Sequence, residues 1–333
     1  MTDDDQPASD LPGILSSVES THSGLNEAGK PAGETPNQST SEDAFALVGN
    51  EIRAEIIRTL GAHDADATGE STLGFADLRA AAETDVVSSQ FNYHLQKLVG
   101  HYVEKTDEGY RLRPEGKMLY RTIRAGTFTE RESLSPVAID QDCYYCDDQL
   151  KLAYDDGMFT VQCHGCETLY DLILAPPSAV RTDENLQSRV EGYNYHLRQA
   201  FAQGVCPTCL NPLETELLDP SETGFTDVVE RDLYVYQSCG YCGNHSYLSL
   251  GSLFLHHPAV IGFCYEQGLD VTTTPRWEIP FAATDRYLTV RSTDPWEIVL
   301  EVPVDGVTLE LVVDEELSIL DHSVSASPAD DDI

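Results

Sequence analysis

An α+β fold is predicted for this chain, and three features of the sequence predict it. Apolar residues recur at helical spacing between Asp43 and Gly126, eight of the nine cysteines fall in CxxC pairs flanked by strand-like stretches, and apolar alternation fills the stretch after Gly268. A length of 333 residues suits two or three compact domains plus tails.

Composition narrows the setting. Asp and Glu number 57 against 20 Lys and Arg, for a formal net charge of −37. Self-repulsion of this size is tolerable mainly where concentrated salt screens it, so the charge reads as salt adaptation. Acid is spread along the whole chain, which favours that reading over a nucleic-acid mimic or a binder of basic partners. No apolar run reaches the roughly 18 to 20 residues needed to span a bilayer, and the first residues, MetThrAspAspAsp, are acidic where a signal peptide would be basic. A cytoplasmic protein with no membrane partner is expected. Reduced thiols in that compartment are better metal ligands than disulfide partners.

Residues 1–42 are rich in Asp, Ser, Thr, Gly and Pro and read as a disordered acidic arm. The periodic segment 43–126 then opens with Phe45, Val48, Ile52, Ile56 and Leu60 on one stripe, interrupted at Gly49 and Asn50, so one long helix or two short ones fit equally. His63 to Ser71 is loop-like, and Phe75 to Ala82 reads as a short helix. From Asp85 to Leu98 a further helix is predicted, capped by Ser88, with Phe91, Leu95 and Leu98 inward. Its outward positions, Ser89, Gln90, Tyr93 and Lys97, carry hydrogen-bonding groups and no acid; His94 reads as a packed core histidine. TyrValGluLys and TyrArgLeuArg flank a Gly-containing turn as a hairpin, and Pro114 suits the first position of a helix running to about Arg124.

Gly49AsnGluIleArgAlaGluIleIleArg, Phe75AlaAspLeu, TyrHisLeuGlnLysLeu and Gly109Tyr occur here in the order and spacing of a known module. On these residues, segment 43–126 resembles the winged helix-turn-helix domain of ArsR-like transcription regulators, in a salt-adapted, halophilic archaeal form. The resemblance implies a recognition helix over Ser88 to Leu98 and a wing over the hairpin. Metal-sensing members carry Cys before the recognition helix, or His and Asp on the last helix. Neither 75–82 nor 114–124 contains Cys or His, so metal sensing at those positions is not implied.

Gln, Asn, Ser and Lys are the side chains that match base edges in the major groove. Ser89, Gln90, Tyr93 and Lys97 are therefore the expected base-reading residues, with Lys105, Arg111 and Arg113 in the wing, and Arg53 and Arg58 behind, as phosphate contacts. Segment 43–126 holds ten of the twenty basic residues against 13 acids, about −3, leaving −34 for the rest of the chain. A helical interaction domain that does not bind DNA is the alternative.

Past a linker over 127–139, Cys143 and Cys146 are followed by Cys163 and Cys166 across a predicted hairpin. Cys206 and Cys209 pair in the same manner with Cys239 and Cys242, across a longer insert from Asn211 to Arg231 and a strand from Leu233. Both quartets have zinc-ribbon spacing, and four thiolates around one ion leave no open position. Two structural Zn(II) per chain are expected, in preference to iron–sulfur clusters. His164, His256 and His257 stand near complete quartets and read as non-ligands; Cys264, in an apolar helix, reads as a small buried hydrophobe.

A weak internal repeat joins the quartets, each unit running ribbon, Pro-initiated connection, helix and Gly stop: about Asn185 to Gln203 with Gly204, then about Val260 to Gln267 with Gly268. Strands at Tyr287LeuThrVal, Trp296 to Val302 and Val307 to Val313 predict a closing antiparallel sheet, and 323–333 reads as an acidic tail.

The predicted architecture is thus an N-terminal winged helix-turn-helix followed by two zinc-ribbon-like β units with helices, 140–204 and 205–322, the second including a small C-terminal antiparallel sheet. The predicted function is non-enzymatic: a homodimeric transcription regulator on double-stranded DNA, its zinc-bound region serving dimerisation, partner binding or signal input. Two alternatives are an adaptor that contacts the transcription machinery through its ribbons, and a redox dithiol at Cys206ProThrCys209. Asn211Pro212 follows that dithiol where the redox motif needs a helix, and a partner CxxC lies downstream.

Overall fold

The computed structural model describes residues 41–66, 71–182, 185–223 and 231–326. The arm expected over 1–42 lies outside them up to residue 40, and the tail expected over 323–333 lies outside them from residue 327. The architecture is mixed α+β, with helices first and antiparallel sheets after.

Helices α1 (Ser41–Val48), α2 (Glu51–Asp66), α3 (Phe75–Ala81) and α4 (Ser88–Leu98) precede a hairpin of β1 (Val103–Lys105) and β2 (Tyr110–Leu112), and α5 (Pro114–Arg124) follows. Two short helices, not one, meet at Gly49 and Asn50. Arg53 stabilises the break by donating to the carbonyls of Leu47 and Ala46 at the end of α1, which engages a side chain expected to face phosphate. Residues 63–66, expected as loop, continue α2, where Lys117 of α5 pairs with Asp64 at 2.9 Å and holds the last turn. Phe45, expected on the buried stripe, is exposed, whereas Ile56, Ile57, Leu78, Phe91, Leu95 and Leu98 have no solvent contact. Ser88 is the first residue of α4 and not its cap: extended Val87 holds the cap position and accepts from the Phe91 amide.

Close packing fixes the hairpin. Tyr110 exchanges backbone hydrogen bonds with Leu73, and Gly109 approaches so closely that a Cβ there would lie 2.4 Å from the Leu73 carbonyl oxygen.

β3 (Leu134–Asp142), β4 (Gln149–Asp155), β5 (Met158–Cys163) and β6 (Leu169–Leu174) form an antiparallel meander. The linker expected over 127–139 therefore holds most of an edge strand. Ser135 to Ala138 of β3 are exposed, so no apolar alternation marked it, and backbone bonding to β4 supplies the order. After α6 (Leu186–Ala202), a second sheet pairs β7 (Glu214–Leu218), β8 (Tyr234–Ser238) and β9 (His245–Leu248). β7 lies in the insert expected as an extended loop; residues 224–230 of that insert lie outside the described ones.

Short helices α7 (Leu250–Phe254), α8 (Pro258–Glu266) and α9 (Pro280–Ala283) lead to a meander of β10 (Leu288–Thr293), β11 (Trp296–Val304), β12 (Val307–Val313) and β13 (Ile319–Ala326). β13 runs into the expected tail as an almost wholly exposed edge strand in register with β12, Val307 opposite Ala326. Gly204 and Gly268 end α6 and α8 with positive φ, the left-handed geometry expected at those stops.

The two cysteine-bearing stretches share their packing. Fully buried Trp277, from the turn before α9, sits in one cluster with Leu150, Phe159 and Val161 of the first meander and Val190 of α6. Phe201 of α6 joins the other cluster, with β8, α7, α8 and the last sheet. Each stretch thus closes the other's core.

Candidate metal centres and an exposed helix face

Four CxxC segments form four turns of one design. In each, the amide of the first Cys donates to the carbonyl five residues on: Cys143 to Asp148, Cys163 to Thr168, Cys206 to Asn211 and Cys239 to Asn244. The residue after each second Cys, Asp147, Glu167, Leu210 or Gly243, has a φ between 60° and 73°. That left-handed step bends the chain back and aims both sulfurs of a turn at one point, and only one of the four positions is the residue that adopts it without cost.

The turns face one another in pairs. Cys143 Sγ lies 3.5 Å from Cys166 and Cys146 Sγ 3.4 Å from Cys163; in the second group Cys206 lies 3.6 Å from Cys242 and Cys209 3.5 Å from Cys239. All four sulfurs of each group fall within 4.8 Å of one another. Sulfurs at about 2.3 Å from a tetrahedral metal stand roughly 3.8 Å apart, so both groups fit a single ion with little movement. The eight predicted ligands are thereby brought together as two quartets that could hold metal ions, and among the described residues no histidine joins either.

Hydrogen bonds to sulfur surround the quartets. The Tyr170 hydroxyl lies 3.2 Å from Cys143 Sγ and accepts the Tyr144 amide at 2.9 Å, while Thr168 Oγ1 stands 3.1 Å from Cys166. Asn211 Nδ2 donates to Cys209 at 3.4 Å and Asn244 Nδ2 to Cys206 at 3.6 Å. Burial raises the Cys166 and Cys206 thiols, but hydrogen bonds from Thr168 in the first case, and from the Cys209 and Thr208 amides in the second, outweigh it and bring each to about 6. Against one lowering backbone hydrogen bond each, contacts with the other thiols push Cys146 and Cys242 up to about 12, so each quartet readily yields one thiolate and a metal must displace the protons of the others. Outer hydrogen bonds of this kind typically govern metal affinity by 10- to 100-fold. Tyr170→Phe is therefore expected to weaken the first site about tenfold and leave the second unchanged, read by chelator competition on the full chain.

The remaining candidates sort by burial. Cys264 is fully enclosed and burial pushes its thiol up to about 11, as suits an inert small hydrophobe. His257 accepts the Ala259 amide as cap of α8, and His256 packs at a tilt against the Tyr195 ring with centroids 4.5 Å apart, its pKa pushed down to about 4 by burial and then by Arg198. His94 is buried, and burial followed by the Arg53 charge lowers its pKa.

On α4, Ser89, Gln90, Tyr93 and Lys97 are all exposed, and so are Asn92 and Gln96. The Lys97 ammonium stands 5.7 Å from the Tyr93 ring centre. Lys105 is exposed in the hairpin; Arg111 pairs with Glu104 directly across it at 2.9 Å, and Arg113 with Glu115 at 3.4 Å. These pairings were not visible in the sequence, where Glu104 and Arg111 are joined only by the register of the hairpin.

Among the described residues no helix is long and apolar enough to cross a membrane. No curated protein and no solved structure matches the chain. Residues 41–123, which span the helices and the hairpin, match the family described as domain of unknown function DUF7347. The match over 140–319 takes in both cysteine quartets, the shared cores and most of the last sheet in a single unit covering more than half of the chain, which belongs to the family described as domain of unknown function DUF7351.

Proposed function

We propose that this protein is a DNA-binding transcription regulator, with residues 43–126 acting as a winged helix-turn-helix of ArsR-like type and the two quartets holding structural Zn(II). The observation that carries the reading is the outer face of α4. Six exposed polar side chains, Ser89, Gln90, Asn92, Tyr93, Gln96 and Lys97, stand on a helix with no acidic residue, in a chain with 57 acids. A face of donors and acceptors on an 11-residue helix suits the major groove. In strong salt, counterion release contributes little, and base contacts must carry a larger share of affinity than phosphate contacts. Glu104 and Glu115 agree with that weighting, since they already neutralise Arg111 and Arg113.

The test is Gln90→Ala with Tyr93→Ala. Both side chains are exposed, so thermal unfolding and metal content should stay within error of the parent. Specific affinity for promoter fragments, in gel shifts at high KCl, should fall by roughly ten- to a hundredfold. Unaltered affinity would refute the assigned face.

A second reading, an adaptor of the transcription machinery, draws on a different observation. Leu210 and Tyr241, both about four-fifths exposed, flank the second quartet, and apolar side chains at such exposure suit a protein partner. Copurification with polymerase components that is lost on Leu210→Ser and Tyr241→Ser, with no promoter retarded by the parent, would favour it.

A further inference from the structure

A cavity of about 470 Å³ opens between β6, α6 and the β8–β9 pair, where the two cysteine-bearing stretches meet. Its volume is that of a small-molecule site, and such sites favour boundaries between packed units. One wall is apolar: Leu172, Leu174, Leu197 and Phe201 line it, and Leu172 and Leu174 are more than half exposed. The other end is cationic. Arg198, Arg231 and Arg276 all reach the lining, each at 7% side-chain exposure or less.

Burying three guanidiniums is costly, and their compensation is uneven. Among the described residues Asp171 is the one carboxylate on the lining. It pairs with Arg198 and, at 3.4 Å, with Arg276, and accepts from Asn194 at 3.1 Å. Glu191 lies behind it, accepting from Arg198 at 3.1 Å and from the Arg276 amide at 3.2 Å, and its Oε2 has no partner among the described residues. Asp285 takes Arg231 at 2.7 Å from the far side. Burial, only partly offset by Asp171 and aggravated by Arg198 and Arg231, pulls Arg276 down to about 10. Burial likewise raises Glu191 above its ordinary value, against the pull of Arg198. Three guanidiniums thus meet three carboxylates, but among the described residues only Asp171 of the three reaches the lining, so the wall itself presents more cation than anion.

We propose that this cavity binds a small monocarboxylate with an apolar body, its head group held by Arg198 and Arg276 and its tail against Leu172, Leu197 and Phe201. A guanidinium fork matches a carboxylate in two parallel hydrogen bonds. One negative charge suffices, because Asp171 beside the cations repels a second. The site is separate from the α4 face, and its occupancy does not depend on whether the chain reads DNA.

Hexanoate and hexan-1-ol serve as paired probes, the same apolar body with and without the charge. Each is titrated calorimetrically into the metal-loaded full chain at neutral pH and high KCl. Hexanoate should bind one per chain with Kd near or below about 1 mM, and the alcohol at least about tenfold more weakly. The half-exposed wall position Leu172 supplies variants that spare the buried arginines. Leu172→Glu should weaken hexanoate about fivefold or more, whereas Leu172→Lys should bind it at least as well as the parent, with melting unchanged in both. No saturable heat with hexanoate up to about 50 mM, equal binding of the alcohol, or equal binding by the Glu and Lys variants would overturn the assignment.

Discussion

Removal of both metal ions is expected to unfold most of residues 140–319, while α2 to α5 stay folded. Each quartet ties two turns that begin or end strands of its sheet: Cys143 and Cys163 flank β4 and β5, and Cys239 closes β8. Cys143, Cys163, Cys206 and Cys239 are themselves buried, so a vacated quartet leaves protonated thiols packed against one another at the edge of a core. Structural zinc contributes about 10–16 kcal/mol of apparent binding free energy, as large as the whole stability of an ordinary domain at about 5–15 kcal/mol. Because Trp277 and Phe201 interlock the two cores, loss of either site should destabilise both. A strong chelator at neutral pH should therefore abolish hydrogen-exchange protection in β4, β5, β8 and β9 and leave protection in α2 and α4. Metal analysis should return two Zn(II) per chain, and Cys146→Ser should lower that to one. A chain shown to be metal-free yet melting like the parent would sink the structural role of the quartets.

How far this could be read from the sequence depended on the kind of signal each element leaves. The quartets were legible because chelation needs fixed residue types at fixed spacing, and all eight cysteines converge in the expected pairs. The buried positions of α4 were legible through their period, Phe91, Leu95 and Leu98 all being enclosed. β3 and β13 were not, because edge strands with exposed side chains carry no alternation and owe their order to a neighbour's backbone. Ion pairs were equally hidden. Arg53, Arg111 and Arg113 look alike as free cations in the sequence, and register or a helix end decides that one caps α1 and two face glutamates. The cluster of Asp171, Glu191, Arg198 and Arg276 joins positions up to 105 apart in the chain, a separation no local pattern reports.

That cluster carries the second large effect: Arg198→Met should cost about 3–5 kcal/mol, whereas Glu191→Gln should cost about 1 kcal/mol. Among the described residues the Arg198 guanidinium is the one that pairs with both carboxylates, Arg276 reaching Glu191 only through its backbone amide, and replacing Arg198 with an apolar side chain of similar length leaves Asp171 buried with Asn194 and a single cation, Arg276. Among the described residues one Glu191 oxygen has no partner, and burial raises its pKa, so the neutral amide preserves its bond from Arg198 and removes a charge the site holds poorly. The pH dependence follows from the two directions. Although burial opposes it, pairing with Arg198 and Arg276 holds Asp171 below its ordinary value. Its contribution is thus present above the ordinary Asp pKa of about 3.9 and lost as pH falls through the lower folded value. Glu191 acts in the opposite sense, its contribution being present below the ordinary Glu value and lost as pH rises through the folded one. Removing Arg198 takes away the nearer cation from Asp171 and raises its folded pKa, so the acid limb of the variant's stability profile should move to higher pH. Denaturant melts of parent and variant across that range measure both the loss and the displacement. Equal stability of the two at neutral pH would mean that the cluster is an incidental contact and that the apolar interlock alone joins the two cysteine-bearing stretches.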